Sequence, residues 1–590
     1  MPIFRRPRLK SPRTVPAALV LAAMALSTLG APAGADSILL AARPELPSTT
    51  SVKTSPISPS TSDPLVMRVQ KVLKEALIYH GPLNGRLNLE TQSAIRAYQK
   101  SAGMPRDGRV TEKLAERLET GARVGLLLNR LERIRASNIA VARLALMSNP
   151  KTRNLLEGEE VEIADPTRDA SPCFREPTAK CLLAEAAESA KAIFRPEMRD
   201  WALGEILVAQ AQAGFAKEAM ETVRRINDPR LIMVALRDIA KAQAQAGRNR
   251  EALAAAEIIP DPLKQVEALA MIADIQAQNG ADGEVRNTIR RLLWTLRRER
   301  DTLKRVSIRA QVAVIMAMAG DETAAKANLD VAESLARGQA GSGDKGVAMR
   351  HIASALAEME KPDRALAVLD EISQDSDRTP VLVTAAIAQA RAGDAARAMA
   401  TAKGIGTLRY RAVVLSRIAT LQAQEGNMAE AEKTGDMALA AAAKVKFPYA
   451  RDYAVSRIVE SQVEIARKAA GGNFDKALET SLLIEDDRLR AHVLWTISAE
   501  LRRHGNTDGA TRAEERAKKS TKAMKSSLSR VWMFSEIALS HSEADDKDTA
   551  WAAFRRAAAV AENIHNAWGR ARALGKLGAT LTELTEPASR

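Results

Sequence analysis

The sequence predicts an all-α protein, in which a small three-helix N-terminal domain precedes a right-handed α-solenoid of about ten helical hairpins. The 590 residues exceed what one hydrophobic core can organise, since cores stop growing near about 250–300 residues. Aromatic residues make up only 3% of the chain, so the interior must be built from small aliphatic side chains, as in packed helices. One hairpin-length template also recurs through about two-thirds of the chain.

The first 35 residues have the pattern of a cleavable signal peptide. Five basic residues between positions 5 and 13 precede an apolar run over 17–26 that is too short to span a bilayer, and a small-residue cleavage pattern follows at 33–35. We therefore expect a periplasmic protein with no transmembrane span in the mature chain. Arg5 and Arg6 leave twin-arginine export open beside ordinary export.

Residues 36–63 are rich in Ser, Thr and Pro and predict a disordered linker. Residues 64–120 predict a compact domain of three short helices. Apolar residues at helical spacing occupy 65–77 and 91–98, a segment dense in turn-forming residues lies between them, and 112–118 closes the bundle.

This domain resembles the three-helix peptidoglycan-binding domain of bacterial wall hydrolases. The residues that carry the resemblance are Val69, Gln70, Leu73, Tyr79, Gly81, Asn84, Gly85, Thr91, Ala94, Ile95, Tyr98, Gln99, Gly103, Met104, Asp107, Gly108 and Leu118. Asn84 stands where the family usually has Asp, and Asn88-Leu89 where it usually has Gly-Pro. The resemblance implies peptidoglycan or another wall polymer as ligand, and the candidate contacts are Tyr79, Asn84, Arg86, Thr91 and Gln99.

Residues 121–184 predict a connecting helix followed by a disulfide-containing linker. The helix, over 122–147, has an apolar side that includes Val124 and Leu131. This side could form a short coiled coil, but with fewer than four heptads we expect it to pack on the neighbouring domain. Cys173 and Cys181 are eight positions apart, and in an oxidising compartment this spacing favours a disulfide over a metal pair or a nucleophile.

Residues 185–590 repeat one template, which begins at a turn position between two helices. The turn residues are Gly214, Gly247, Gly280, Gly320, Glu360, Gly393, Gly426, Gly472, Gly505 and Asp545. Five residues later comes Ala or Val in every unit, and seven residues earlier most units have Ala. Small side chains are expected where two helices cross most closely, and Gly is expected to form a left-handed cap between them.

Successive turn residues are mostly 33 or 40 positions apart. Seven added residues are close to two helical turns, so a longer second helix keeps its apolar stripe in register. Two helices, a Gly turn and a following Ala resemble a degenerate tetratricopeptide repeat, although the usual aromatic residue is mostly absent. Such repeats expose a long surface that is suited to an extended peptide or a partner helix.

The candidate partner groove consists of polar residues that recur on the first helices. They are Gln210, Arg237, Lys241, Gln243, Gln276, Arg350, Gln389, Arg391 and Gln422. The glutamines have two interpretations, since they could bind a partner's backbone or could satisfy the neighbouring hairpin. The cations would favour acidic partner segments, although such residues are often only solvated faces.

No catalytic residues, metal ligands or cofactor site are predicted, because phosphate-loop, serine-hydrolase and metal-spaced His/Cys motifs are absent from the sequence. Nucleic acid is not an expected partner despite a net charge of +15, because acidic residues are interleaved with the basic ones and aromatics for base stacking are scarce. We therefore expect a non-enzymatic envelope scaffold that binds the wall and an exported or membrane-anchored protein. The alternative is an accessory or degenerate member of a cell-wall hydrolase system.

Overall fold

The computed structural model describes residues 62–585 except 77, 157–162, 166, 340, 470, 471 and 544. The predicted signal peptide and almost all of the predicted linker therefore lie outside the described residues. Every regular element in these ranges is a helix, which confirms the all-α fold class. The chain divides near residue 141 into two compact units, which are described separately below.

The N-terminal unit begins with the three predicted helices. These are α1 (Pro64–Glu75), α2 (Leu89–Ser101) and the start of α3 (Glu112–Ser148). Asp63 caps α1 and Asn88 caps α2, each through its side-chain oxygen and a backbone N–H. The core contains Leu73, Ile95 and Leu118, each at most 2% exposed. The helix α3 runs 37 residues without a break, because no proline interrupts it, so the third helix and the connecting helix are one element.

The apolar side of α3 is exposed to solvent. Val124, Leu127 and Leu131 are 50%, 55% and 52% exposed. The coiled-coil alternative requires such a stripe to be available to a second chain.

The second unit opens with two helices, α4 (Ser171–Arg175) and α5 (Ala179–Lys191). A disulfide joins Cys173 to Cys181, whose Cα atoms are 5.6 Å apart. This confirms the predicted pair and ties α4 to the first turn of α5. Among the described residues, no helix combines the length and the apolar character that crossing a bilayer would require.

Helical hairpins make up the rest of this unit. Their first helices are α6 (Pro196–Gln212), α8 (Pro229–Gln245), α10 (Pro262–Gln278), α12 (Thr302–Met318), α14 (Ser342–Glu358), α16 (Asp375–Arg391), α18 (Leu408–Gln424), α20 (Pro448–Lys468), α22 (Asp487–Arg503), α24 (Ser527–Glu543) and α26 (Ala567–Thr585). Their second helices are α7 (Ala216–Arg224), α9 (Asn249–Glu257), α11 (Asp282–Leu296), α13 (Glu322–Arg337), α15 (Pro362–Ala367), α17 (Ala395–Lys403), α19 (Met428–Ala443), α21 (Asp475–Ser481), α23 (Thr507–Ala523) and α25 (Lys547–Glu562).

The repeat template is found in all ten predicted units. Every predicted turn residue has a positive φ, including the two that are not glycine, Glu360 at 58° and Asp545 at 59°. The small residue five positions later is at most 1% exposed in every unit, as at Ala219 and Ala398. The alanine seven positions earlier is 0% exposed wherever it occurs, as at Ala240. Small side chains therefore lie buried where the two helices of each hairpin meet.

The spacing between units is explained by the second helix. It has 9 residues in α7 and α9, where the next turn is 33 positions away. It has 15 in α11 and 16 in α13, where the next turn is 40 positions away. The insertion lengthens the helix and leaves the hairpin contacts in register, as predicted.

The hairpins close into a ring, which the sequence had not indicated. Each first helix packs on the next one from α6 to α26, and α26 then packs on both α6 and α5. The second helices pack mainly on first helices, and ion pairs such as Arg364–Glu333 and Arg397–Asp363 join neighbouring second helices. Because neighbouring elements of a ring are closest at the smaller radius, the first helices form the inner ring.

The closing hairpin is assembled from the two ends of the unit. The inner helix α26 pairs with α5, which takes the place of its second helix, so the ring holds eleven hairpins in total. Gly578 of α26 lies against Leu183 of α5, so closely that a Cβ on Gly578 would lie 2.6 Å from Leu183 Cγ. Most other hairpins have Ala at both small positions of the template, as at Ala240 and Ala252, whereas this contact pairs glycine with a larger residue.

Candidate functional site

Gln70 organises the candidate wall-binding region of the N-terminal unit. It lies in α1 and is fully buried. Its Oε1 accepts hydrogen bonds from the backbone N–H groups of Asn84 (3.1 Å) and Gly85 (2.9 Å). Its Nε2 donates to the Arg86 carbonyl and to Thr91 Oγ1, each at 3.0 Å. One buried amide therefore fixes the loop that joins α1 to α2.

Three of the predicted ligand contacts are structural. Tyr79, Thr91 and Gln99 are at most 3% exposed, so a polymer on the surface cannot reach them. Tyr79 Oη donates to the Pro82 carbonyl at 2.9 Å and thereby holds the same loop. Their burial corrects the prediction that these three residues contact the ligand. A family resemblance identifies residues needed for the fold as readily as residues needed for binding.

Gln99 repeats the role of Gln70 at the second turn of the unit. Its Nε2 donates to Asp107 Oδ1 at 2.7 Å, and its Oε1 accepts from the Gly108 backbone N–H at 3.0 Å. A hydrogen bond from the Arg109 backbone N–H, together with the one from Gln99, holds the pKa of Asp107 below its usual range.

The surface of the α1–α2 loop is both apolar and basic. Arg86 is exposed and Asn84 is half-buried, so these two predicted contacts are accessible. Around them Leu83, Leu87 and Leu89 are 41%, 38% and 84% exposed. We call these five residues the loop patch. Sequence reasoning missed its leucines. Leu83 and Leu87 lie in the turn-rich loop and Leu89 is the first residue of α2, and this placement away from a helix interior was the available signal.

The five predicted groove glutamines do not line a surface. Each is at most 6% exposed. Gln210, Gln276 and Gln389 each accept a hydrogen bond from a threonine of the second helix in the same hairpin, at 2.8, 2.8 and 2.7 Å. Gln243 accepts from Arg248 Nε, and Gln422 is buried as well. The glutamines therefore have a structural role, but the threonine partners lie in the same hairpin and not in the neighbouring hairpin that was predicted.

The four predicted groove cations lie on first helices, in the inner ring. Arg237 is 2.8 Å from Asp238 and 3.7 Å from Glu267 of the next first helix. Arg350 pairs in the same way with Asp377 of the next first helix, at 3.4 Å. These pairs join neighbouring hairpins, so part of the predicted groove charge stabilises the ring.

The charges of Lys241 and Arg391 lower the pKa of two carboxyl groups of the inner ring, against the effect of burial. Burial raises the pKa of Asp274, and the charge of Lys241 opposes this shift. Burial and the nearby charge of Asp274 raise the pKa of Glu358 to about 7, and the charge of Arg391 opposes them. In the described ranges no group of three or more His, Cys, Asp or Glu residues could hold a metal ion.

Comparisons with known proteins agree with the N-terminal assignment. Residues 62–118 match the family model described as "Putative peptidoglycan binding domain", which covers about a tenth of the chain. The match supports the predicted peptidoglycan-binding domain. No curated protein matches the chain.

Two solved structures show distant likenesses. The structure titled "Crystal structure of Ton1535 from Thermococcus onnurineus NA1" has 17% identity and a TM-score of 0.27, and covers 54% of this chain and 97% of its own. A "Circular tandem repeat protein with novel repeat topology and enhanced subunit contact surfaces" has 12% identity and a TM-score of 0.15, and the match covers 87% of this chain and 97% of that protein's chain. At these TM-scores neither likeness establishes a common fold, and the tetratricopeptide resemblance stays a prediction.

Proposed function

We propose that this protein is a non-enzymatic scaffold of the bacterial cell envelope. The N-terminal unit would hold the protein on peptidoglycan, and the ring of hairpins would recruit an exported or membrane-anchored protein. The observation that carries the proposal is the match of residues 62–118 to a peptidoglycan-binding family, in a unit whose buried Gln70 presents an ordered loop. The helical repeats of the second unit supply a large surface for a protein partner.

The loop patch is the proposed contact with the wall. Its leucines could pack on sugar rings and on the peptide stem, and Arg86 could pair with a stem carboxylate. Arg86 and Leu89 are exposed and take no part in the core, so replacing both should leave the fold intact.

Co-sedimentation of the full chain with purified peptidoglycan tests this contact. The double variant Arg86→Ala/Leu89→Ser is expected to lose at least fivefold in bound fraction. Lys113→Ala is the matched control, because it removes an exposed cation from α3 of the same unit, and it should bind within twofold of the wild type. Equal binding by all three proteins would refute the loop patch as the contact.

Two further measurements separate the classes of function. Incubation of the pure protein with peptidoglycan should release no muropeptides, and release would favour the hydrolase-system alternative. Affinity capture from an envelope extract, with the full chain compared with residues 142–590, should recover the same protein partner on both baits. Recovery of no protein partner on either bait would contradict the scaffold role.

The proposed location can be tested by cell fractionation. The protein should occur in the periplasm, and N-terminal sequencing should place its first residue near 36. A cytoplasmic protein that retains residues 1–35 would contradict export.

A further inference from the structure

The ring contains a cavity where its two ends meet. It has a volume of about 500 Å³ and is lined by residues of the four first helices α6, α8, α24 and α26. We call it the seam cavity. Its main apolar lining residues are Trp201, Val208, Leu231, Val234, Trp532 and Ala579. This volume lies within the range of pockets that hold small organic ligands.

A glycine of α6 leaves part of the space open. Gly204 of α6 and Gly575 of α26 both line the cavity, but a Cβ on Gly575 would lie 3.3 Å from Ile206 Cγ1. A Cβ on Gly204 would have nothing within 4 Å, so the floor of the cavity is free of side chains there. Glycine in the interior of a helix costs about 1 kcal/mol relative to alanine, so the opening is maintained against helix propensity.

The carboxylates around the cavity are already occupied. Glu205 receives two hydrogen bonds from Arg572, at 2.6 and 2.7 Å. Asp238 is paired with Arg237 at 2.8 Å. Asp200 accepts from the backbone N–H groups of the loop before α8, at 3.0 Å for both oxygens.

Arg572 itself is held between aromatic rings. Its guanidinium carbon lies 4.9 Å from the centres of the Trp201 and Trp532 rings and 4.6 Å from that of Trp568. With Glu205 on its edge and tryptophans on its faces, this cation is fully engaged. It therefore fixes the walls of the cavity and is not available to a ligand.

Lys576 is the cation among the lining residues of the cavity. It lies on α26, is half-buried, and has no carboxylate within 4.0 Å among the described residues. A half-buried cation without a carboxylate partner favours an anion beside its ammonium group. The cavity thus combines an apolar body with a cation at its side that no carboxylate of the described residues contacts.

We propose that the seam cavity binds a small apolar carboxylate of the medium-chain fatty acid class. The hydrocarbon chain lies along Trp201 and Trp532 over Gly204, and the carboxylate pairs with Lys576. This site is separate from the wall-binding unit and does not depend on the function proposed for it. Because all four lining helices meet only in the closed ring, the ligand would also stabilise closure.

Dodecanoate is the probe, and the full mature chain is the protein to use. Binding is measured by displacement of the fluorescent anion 8-anilino-1-naphthalenesulfonate and by quenching of tryptophan with a brominated fatty acid. N-Phenyl-1-naphthylamine is an uncharged apolar probe for the same cavity. The wild type should bind dodecanoate saturably at one site.

Gly204→Leu should fill the cavity and weaken dodecanoate binding at least tenfold. Gly343→Leu is the matched control, because Gly343 also lies on a first helix with nothing within 4 Å of a Cβ, but outside the cavity. It should bind within twofold of the wild type. If Gly204→Leu fails to fold, Ala579→Leu fills the same space from α26.

Lys576→Met tests the charge. It should weaken dodecanoate binding at least fivefold and change binding of the neutral probe by less than twofold. The proposal is overturned if the wild type does not bind dodecanoate, if a folded cavity-filling variant binds it unchanged, or if Lys576→Met weakens both probes equally.

Discussion

Replacing Gly578 by alanine is expected to loosen the hairpin that joins the two ends of the ring. The added Cβ would lie 2.6 Å from Leu183 Cγ and 2.7 Å from its Cδ2, both closer than side-chain carbons approach. Leu183 is 1% exposed and has little room to move away. The substitution therefore overpacks the contact between α26 and α5.

The size of the effect follows from two opposing terms. Overpacking a buried contact costs about 1–3 kcal/mol, whereas Gly→Ala in a helix interior gains about 1 kcal/mol. Gly435→Ala in α19 is the matched control, because a Cβ there would have nothing within 4 Å. Since the propensity gain is common to both variants, Gly578→Ala should be about 1–3 kcal/mol less stable than Gly435→Ala.

Hydrogen exchange read by mass spectrometry is the appropriate assay, because a repeat array need not unfold in one step. Amides of α5 should exchange faster in Gly578→Ala, while those of α16 and α18, on another part of the ring, should not change. Equal protection of α5 amides in Gly578→Ala and Gly435→Ala would refute the close contact between Gly578 and Leu183.

Three other perturbations test the ring in different ways. Glu205→Gln weakens the paired hydrogen bonds to Arg572 and should destabilise the closing hairpin by about 1–3 kcal/mol, seen as faster exchange in α26; unchanged exchange would contradict the role of the pair. Reduction of the Cys173–Cys181 disulfide, or replacement of both cysteines by Ser, should lower the free energy of unfolding by about 2–3 kcal/mol. Hydrogen exchange should become faster in α5 but not in α16, and equally faster exchange in both helices would contradict a local role. The pKa of Glu358 is raised from its ordinary 4.5 to about 7, so the folded chain binds a proton on the Glu358 carboxyl more tightly than the unfolded chain does. The stability that this protonation contributes is present below pH 4.5 and is lost as the pH rises through 7. The melting temperature of the wild type relative to Glu358→Gln should therefore fall between pH 5 and pH 8; a constant difference would contradict the shift.

The hairpins were predictable because their determinants are local. A left-handed turn residue and small residues at fixed offsets define each unit, and even Glu360 and Asp545 adopt the expected positive φ. The disulfide was equally local. The three-helix domain could be predicted because Tyr79, Thr91 and Gln99 are fold residues, and for the same reason they were poor predictors of the ligand contacts.

Ring closure depends on contacts that no repeat period reveals. Glu205 and Arg572 are 367 positions apart, and the closing hairpin has no turn residue of its own because its two helices come from opposite ends of the unit. The role of the glutamines was visible in the sequence. Gln210, Gln276 and Gln389 are each followed twelve positions later by the Thr that donates to them, although Gln422 and Thr434 have the same spacing and Gln422 Oε1 has no hydrogen-bond partner among the described residues.

The closed ring can be tested directly by the distance between its ends. Spin labels on Lys180→Cys and Thr585→Cys, two exposed positions on α5 and α26, would report this distance by double electron–electron resonance. Packed helix axes lie about 8–10 Å apart, so the closed ring predicts one narrow distribution below about 25 Å. An open arc of eleven such helices would extend over about 100 Å, so a broad distribution beyond about 50 Å would contradict closure.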